Sequence, residues 1–265
     1  MKPSFVFICI LFMCLGCKNK KQIPDVSAIP ITLTVERFEN DFFALDTKYL
    51  NTSLAKLHIL HPGFTQDFLY NILGTTPDSA LKNVPAFITS YRDLYRKANQ
   101  QFTNIHDLEM QIKNSLQFVH YYFPKYRLPI KLITFIGPIN SYGSIITPNA
   151  LAIGLQLYMG KNYPLYLSDQ GQQLYPLYIS RRFEPAYIPV NGIKNIIDDM
   201  YPNAGMGMPL VEQMIESGKR MFVLDLLMPN TPDSLKTGYT QMQLEGCYES
   251  EKKYLEFFCA ERYAI

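Results

Sequence analysis

The hydrophobic spacing of this 265-residue chain changes twice, and this change constrains the fold more than any other feature. Apolar residues recur every three to four positions over residues 41–123 and again from Pro176 onward, a pattern that is typical of amphipathic helices. Between these blocks lie short apolar runs with glycine and proline turns, Leu132–Ile136, Ile145–Ile146 and Ala150–Tyr158. The order of helices, sheet and helices predicts an α+β fold, mainly helical, with a small three- to four-stranded sheet in the middle of the chain.

One further strand is predicted before the first helical block, where residues Ile31 to Val35 alternate apolar and polar side chains. Helical spacing predicts five long helices, over residues 78–101, 104–123, 187–200, 210–227 and 240–260. No repeat or linker divides this region, so residues 31–265 are predicted to form a single globular domain. The last helix ends without a glycine or proline signal, which leads us to expect a chain shortened at its C-terminus.

The N-terminus carries an export signal followed by a candidate lipidation site. Lys2 precedes an uncharged apolar run, Phe5–Leu15, which is shorter than the roughly 18–20 residues that a membrane-spanning helix needs. A small residue then stands directly before Cys17, as at the cleavage site of bacterial lipoproteins. We predict that residues 1–16 are removed as a signal peptide. Cys17 would then carry diacylglycerol and an amide-linked acyl chain such as palmitate, with residues 17–30 as a tether to the bilayer.

Two other interpretations of Cys17 stay open: an unmodified residue behind an ordinary signal peptide, and a buried thiol of an N-terminal helix. Cys14 occupies the position where lipoprotein signals usually carry leucine. Lipidation is favoured because an ordinary signal would show an Ala-x-Ala-like site, and because a polar tether offers no core for a thiol. The residues after Cys17 are basic, which favours a lipid-anchored protein of the cell envelope that faces the periplasm, in either the inner or the outer membrane.

Charge and composition exclude two broad classes. The 25 Lys and Arg residues nearly balance 23 Asp and Glu residues, whereas a nucleic-acid binder has a large basic excess. A multi-span membrane protein is excluded because only the N-terminal run is long, apolar and uncharged. Cys247 and Cys259 are twelve residues apart in one predicted helix, about 18 Å and too far for a disulfide bond, so we expect packed thiols.

Candidate catalytic groups are few, and the sequence has no phosphate-binding glycine loop, Gly-x-Ser-x-Gly or His-Glu-x-x-His motif. His58 and His61 have the spacing of two metal ligands on one helix face, but no third ligand lies at a telling distance and Pro62 follows directly, so a helix end with ordinary packing is favoured. Glu212 and Glu216 share a helix face and have the spacing of an acid–base pair. A solvated face with Glu216 paired to Arg220 is favoured. These four residues are candidates only if the protein is an enzyme; we assign no catalytic residue, metal, cofactor or small-molecule substrate.

Tyrosines are concentrated with prolines between residues 158 and 189. Clustered tyrosines form peptide- or glycan-binding surfaces, or they pack irregular segments onto a core, and we favour packing. The six residues are Tyr158, Tyr163, Tyr166, Tyr175, Tyr178 and Tyr187.

Four segments in order resemble the gliding-motility lipoprotein B (GldB) family of Bacteroidetes. They are ITLTVERFENDFF from Ile31, NALAIGLQLYMGKNYPLY from Asn149, EQMIESGK from Glu212 and PDSLKTGYT from Pro232. The resemblance spans most of residues 25–262. It implies a membrane-anchored accessory protein of gliding, without known enzymatic activity, whose partners are other envelope or gliding-machinery proteins. Family members also continue some tens of residues beyond the point where this chain stops.

The layout is more distantly similar to zinc metallopeptidases in which the helix after the strands carries His-Glu-x-x-His. The helix predicted over residues 187–200 contains no histidine, so this similarity implies a related layout that lacks the metal motif. The leading hypothesis is a non-catalytic lipoprotein of the gliding or envelope machinery. The alternatives are a degenerate zinc-peptidase-like hydrolase and an envelope module that binds peptides or glycans.

Overall fold

A computed structural model describes the backbone of residues 23–262 and the side chains of residues 23–253. Most of this part of the chain is helical, and a four-stranded mixed sheet lies in the middle of the sequence. The predicted α+β class is thereby confirmed. The predicted signal peptide (residues 1–16), the predicted lipidation site Cys17 and the thiol of Cys259 lie outside the described residues.

The sheet has the order β1-β2-β4-β3, in which β1, β2 and β4 are parallel and β3 is antiparallel to β4. The predicted strand near Val35 belongs to it, but pairing begins at Thr34 rather than Ile31 because Thr34 lies opposite Lys131, the first residue of β2. The strands are β1 Thr34–Arg37, β2 Lys131–Phe135, β3 Ser144–Ile146 and β4 Ala150–Gly154.

The five long helices lie where the spacing predicts them, and each end differs by two residues or fewer. In chain order the helices are α1 Phe38–Phe43, α2 Leu50–Leu60, α3 Phe64–Gln66, α4 Pro77–Gln101, α5 His106–Tyr122, α6 Pro164–Leu167, α7 Asp169–Leu174, α8 Leu177–Ser180, α9 Ile188–Met200, α10 Leu210–Leu227, α11 Asp233–Thr237 and α12 Gln241–Arg262. A π-helical segment, Asp67–Ile72, follows α3, and 3₁₀ turns cover Thr47–Tyr49, Leu155–Leu157 and Pro185–Tyr187.

The two inner strands are buried because helices cover the sheet. Every residue of β4 and all but the first of β2 are buried, which explains why both strands are apolar runs without alternation. Helix α1 packs against β2, and helix α9 packs against β3 and β4. Gly192 lets α9 approach the sheet closely, since a Cβ atom there would lie 2.9 Å from Cδ2 of Leu151.

Phenylalanines fill the space between the first helices and the sheet. The ring of Phe38 lies 4.9 Å from Phe64 and 4.8 Å from Phe68, and Phe68 in turn lies 4.7 Å from Phe42 and 6.1 Å from Phe135 of β2. Such edge-on and tilted contacts add to the free energy gained by burying the rings. These aromatic contacts hold α1 against β2. They thereby set the positions of the polar residues that β1 and α1 carry.

Chain segments at the two ends of the described body pack differently from the sequence-based expectation. Val26 is buried and Gln117 of α5 donates to the carbonyl of Ile29, so the segment predicted as a tether is docked from Val26 onward. Cys247, expected to be packed, is exposed because the first turns of α12 contribute little to the core. Among residues 23–262, no helix is long and apolar enough to cross a membrane.

Candidate functional site

Polar side chains collect at the point where β1 runs into α1, and His61 lies at their centre. Nδ1 of His61 is 2.8 Å from Oε2 of Glu36, and Nε2 is 2.8 Å from Oδ2 of Asp41. Each ring nitrogen of His61 thus lies within hydrogen-bond distance of one carboxylate oxygen. His61 therefore joins the end of α2 to both β1 and α1.

Glu36 has a second cationic partner. Nζ of Lys131, at the start of β2, lies 2.6 Å from Oε1 of Glu36. Burial raises the pKa of Glu36, but the hydrogen bonds from Lys131 and His61 outweigh burial and hold that pKa below its usual value. The carboxylate thus stays ionised and bridges two neighbouring strands and α2.

A second carboxylate of the same segment is buried completely. Glu39 is only 1% exposed, and its Oε1 accepts from Nε of Arg37 at 2.5 Å. The hydroxyl of Thr134, on β2, donates to Oε2 of Glu39 at 2.8 Å. Arg37 also donates to the carbonyl of Phe102 at 2.7 Å, which ties β1 to the end of α4. A buried charge is tolerated only with such partners.

The geometry of this polar cluster, here called the β1–α1 cluster, suits mechanical linkage rather than ligand binding. The two carboxylates on His61 lie on opposite nitrogens of the ring, so they cannot converge with it on one ion. Within the described residues, no group of three or more His, Cys, Asp or Glu side chains is arranged to hold a metal. The cluster ties the β1–α1 segment to the end of α2, to β2 and to the end of α4, so that four segments distant in sequence meet at one corner.

The four residues predicted as candidates for an enzyme do not meet. His58 is exposed on α2, whereas His61, one turn later, is buried in the β1–α1 cluster. Glu212 and Glu216 lie in the N-terminal half of α10, where Glu212 is exposed and Glu216 is partly exposed. The histidines therefore do not form a metal pair on one face of the helix.

The expected pairing of Glu216 with Arg220 is wrong. Oε1 of Glu216 is 2.6 Å from Nζ of Lys219, and Arg220 instead binds Asp198 of α9. Arg220 turns away from its own helix because α9 packs beside it and supplies a carboxylate that is closer to the partly buried guanidinium.

Two asparagines of α9 are hydrogen-bonded to residues beside the sheet. Asn191 and Asn195 are one turn apart on the side of α9 that faces the sheet. Nδ2 of Asn191 donates to the hydroxyl of Tyr158 at 3.0 Å, and Nδ2 of Asn195 donates to Oγ of Ser144 at 2.8 Å. Both amides are thus used to fasten α9 to β3 and to the turn after β4.

Most of the clustered tyrosines pack onto the core, as the favoured interpretation predicts. Tyr158 and Tyr166 are buried, and the hydroxyl of Tyr166 donates to the carbonyl of Gln156 while accepting from the backbone N–H of Met159. Tyr175 packs edge-on against Phe183 at 4.9 Å. Tyr178 is the exposed exception.

The segments that form the β1–α1 cluster and α9 lie inside a match to a known protein family. Residues 19–263 match the model of a family described as gliding motility protein GldB. The chain belongs to the GldB family. The resemblance carried by the four ordered segments is thereby confirmed, and it extends over nearly the whole chain. No curated protein and no solved structure matches the chain.

The residues that form the β1–α1 cluster were not identified from the sequence. Glu36, Arg37, Glu39 and Asp41 all fall within one of the segments that carry the family resemblance, yet none was singled out. A signal was present: Glu36 and Arg37 directly precede Phe38, and two more carboxylates stand between Phe38 and the next phenylalanine, Phe42, at a junction whose phenylalanines are buried. Charged groups placed among buried aromatic residues require partners, and a histidine after the next helix is one.

Proposed function

We propose that this GldB-family protein is a lipoprotein of the cell envelope. Acyl chains on Cys17 hold it at the membrane, and its folded part lies on the periplasmic side. Its role is that of a non-catalytic component of gliding. The observation that carries the proposal is the family match, which begins two residues after a lipoprotein-type cysteine. The partners would be other proteins of the envelope or the gliding machinery.

The proposed anchor keeps the body close to the bilayer. Ile23 follows Cys17 by six positions, and Val26 is already buried in the core. At about 3.5 Å per extended residue, these six span roughly 20 Å. Several acyl chains on one residue make membrane attachment stable, since each buried methylene contributes about 0.8 kcal/mol. We infer a body that moves within a thin layer beside the membrane.

Three features support a non-catalytic role. The β1–α1 cluster satisfies the hydrogen-bonding capacity of His61 and leaves no ring nitrogen for a substrate proton or metal. Asn191 and Asn195, on the inner face of α9, are engaged in holding the sheet. Glu216 is paired with Lys219 at the surface. These side chains stabilise the fold instead of pointing together into a cleft.

The anchor is tested by the mass of the N-terminal peptide of the mature protein and by the substitution Cys17→Ala. We expect the native peptide to begin at Cys17 with the added mass of its lipid, and the Cys17→Ala protein to keep its leader. Cys9→Ala is the matched control, because it changes a cysteine of the leader that lies outside the residues next to the cleavage site. An unmodified mature N-terminus, or unchanged processing of the Cys17→Ala protein, would contradict the anchor.

The role in gliding is tested in a gliding host. Deletion of the gene should abolish surface spreading, and a plasmid-borne copy with His58→Ala and Glu212→Gln should restore it, because neither residue contributes to the core. Unchanged spreading of the deletion strain would count against the proposed role. Stoichiometric zinc in the purified protein, or loss of spreading with the double variant at normal abundance, would favour a hydrolase.

A further inference from the structure

A cleft of about 320 Å³ lies between α9 and α10, on the side of α9 that faces away from the sheet. It is lined by side chains of both helices and of the loop between them, including Lys194, Asp198, Asn203, Ser217, Arg220 and Met221. None of these residues takes part in the β1–α1 cluster.

Lys194 supplies a positive charge that has no close counter-charge. Its Nζ donates to the backbone carbonyl of Lys236 at 2.8 Å, and no described carboxylate forms an ion pair with it. Burial and the nearby charge of Arg182 lower the pKa of Lys194, and the more distant Asp198 opposes them only in part. A half-buried ammonium in this setting gains from any anion that enters the cleft.

Arg220 adds a second cation on the opposite wall. Its guanidinium binds the carboxylate of Asp198, and Nη2 donates to the carbonyl of Tyr201 at 2.5 Å. Nε of Arg220 is buried without a hydrogen-bond partner. The single carboxylate that lines the cleft is therefore committed to Arg220, and the two cations leave the lining with a net charge of one positive unit.

The rest of the lining is apolar. Ile197 of α9 is buried, as is Leu224 of α10, and Met221 is partly buried against the core. A charged end beside Lys194 and an apolar wall of aliphatic side chains together match a ligand with one anionic group on a short hydrocarbon stem. A net lining charge of one favours a monoanion over a dianion such as phosphate.

We propose that this cleft binds a carboxylate carried on a short branched apolar stem, with the carboxylate on Lys194 and Arg220 and the stem against Ile197, Met221 and Leu224. Charge-assisted hydrogen bonds to a lysine and an arginine are the usual means of holding a carboxylate. Two sources present this chemistry: a free branched-chain acid, and the C-terminal residue of a peptide that ends in leucine. The site is separate from the proposed anchor and does not depend on it.

The test is isothermal titration of the full chain in detergent, with empty-detergent blanks, against three probes. 4-Methylpentanoate represents the free acid, N-acetyl-L-leucine represents the peptide end, and 4-methylpentanamide is the neutral isostere. We expect at least one acid to bind with a Kd of about 1–10 mM, the weak end of the affinity scale, and the amide to bind at least tenfold more weakly. Tighter binding of N-acetyl-L-leucine identifies the peptide source, and tighter binding of 4-methylpentanoate identifies the free acid.

Two substitutions move the affinity in opposite directions. Lys194→Met keeps the length of the side chain and should weaken binding at least tenfold, whereas Asp198→Asn removes the competing carboxylate and should strengthen it severalfold. Lys219→Met, on the exposed side of α10, is the control and should leave binding unchanged. If Lys194→Met does not fold, Asp198→Asn still decides the matter. Absence of acid binding, equal binding of acid and amide, or weaker binding by Asp198→Asn would overturn the proposal.

Discussion

The hydroxyl of Thr134 lies 2.8 Å from Oε2 of Glu39, so a buried carboxylate of α1 is fastened to β2 across 95 residues of sequence. The same carboxylate accepts from Arg37, which holds the end of α4. Glu39 is thus the point where the N-terminal strand–helix junction, the second strand and the longest inner helix are joined.

Glu39→Gln should destabilise the protein by about 3 kcal/mol. The substitution removes a buried charge and leaves Arg37 without its ionic partner, and breaking a buried pair is more costly than the pair is stabilising. Equilibrium unfolding in urea measures the change in the free energy of unfolding. Asp93→Asn, on the exposed face of α4, should change stability by less than about 0.5 kcal/mol.

A double-mutant cycle isolates the bond between Thr134 and Glu39. Thr134→Val alone should cost about 1–2 kcal/mol because one hydrogen bond to a charged group is lost. In the Glu39→Gln background the same substitution should cost less, with a coupling energy of about 1 kcal/mol. Strict additivity of the two changes would mean that the contact contributes nothing to stability.

The contribution of Glu36 should depend on pH. Because the folded state lowers the pKa of Glu36, the ionised form is stabilised by folding. That contribution is complete above the pKa of the unfolded chain and is lost as the pH falls through the folded pKa. Glu36→Gln should therefore be less stable than the native protein at neutral pH, by about 1–2 kcal/mol, and the difference should disappear in acid.

Thermal unfolding from pH 7 to pH 3 measures the difference at Glu36. Glu212→Gln, at an exposed position of α10, serves as the control and should follow the native curve throughout. A gap between Glu36→Gln and the native protein that stays constant over this range would show that the charge of Glu36 is not what stabilises the corner.

Two glycines should respond to alanine in opposite directions. Gly238 has φ = 74°, and a Cβ atom there would lie 2.4 Å from Nε of Arg182, so Gly238→Ala should destabilise by more than about 1 kcal/mol. Gly218 lies in α10 with nothing within 4 Å of its Cβ position, so Gly218→Ala should stabilise by about 0.5–1 kcal/mol. Denaturant midpoints compare the two; a stabilised Gly238→Ala would contradict the left-handed backbone and the close approach of Arg182 at this residue.

Lys236→Met should destabilise by about 1–2 kcal/mol, because the ammonium of Lys236 binds Asp225 at 2.8 Å and Asp233 at 3.2 Å. Burial lowers the pKa of Lys236, but the two carboxylates outweigh it and raise that pKa above its usual value. Both carboxylates are about half exposed, which keeps the cost below that of a fully buried pair. Lys219→Met, on the surface, should be nearly neutral in the same unfolding assay.

Hydrophobic spacing along the sequence predicted the long helices and the strands of this fold. It could not predict contacts between segments that are distant in sequence. The bounds of α10 follow from its hydrophobic period, and β2 and β4 follow from their unbroken apolar runs. Arg220, by contrast, was assigned to Glu216 by helical spacing, whereas Asp198 of the neighbouring helix is its partner. The spacing of residues along one helix contains no information about the side chains that a neighbouring helix places next to it.

The β1–α1 cluster shows the same limit more sharply. Glu36 and His61 are 25 residues apart, and Glu39 and Thr134 are 95 apart, so neither pair has a local signature. The three-residue separation of His58 and His61 is compatible with a metal pair on one helix face, but the helix ends between them at Leu60 and only His61 is buried. The cleft between α9 and α10 likewise depends on how two helices cross, which no single segment specifies.

The parallel pairing of β1 with β2 limits how early β1 can join the sheet during folding. Thr34 aligns with Lys131, so almost one hundred residues must be available before the first strand finds its neighbour. In a chain that emerges from a pore with its N-terminus leading, β1 emerges first and has no strand to pair with until β2 follows. Closing such a long loop is entropically slow, and the corner around His61 therefore completes late, once the greater part of the chain has emerged.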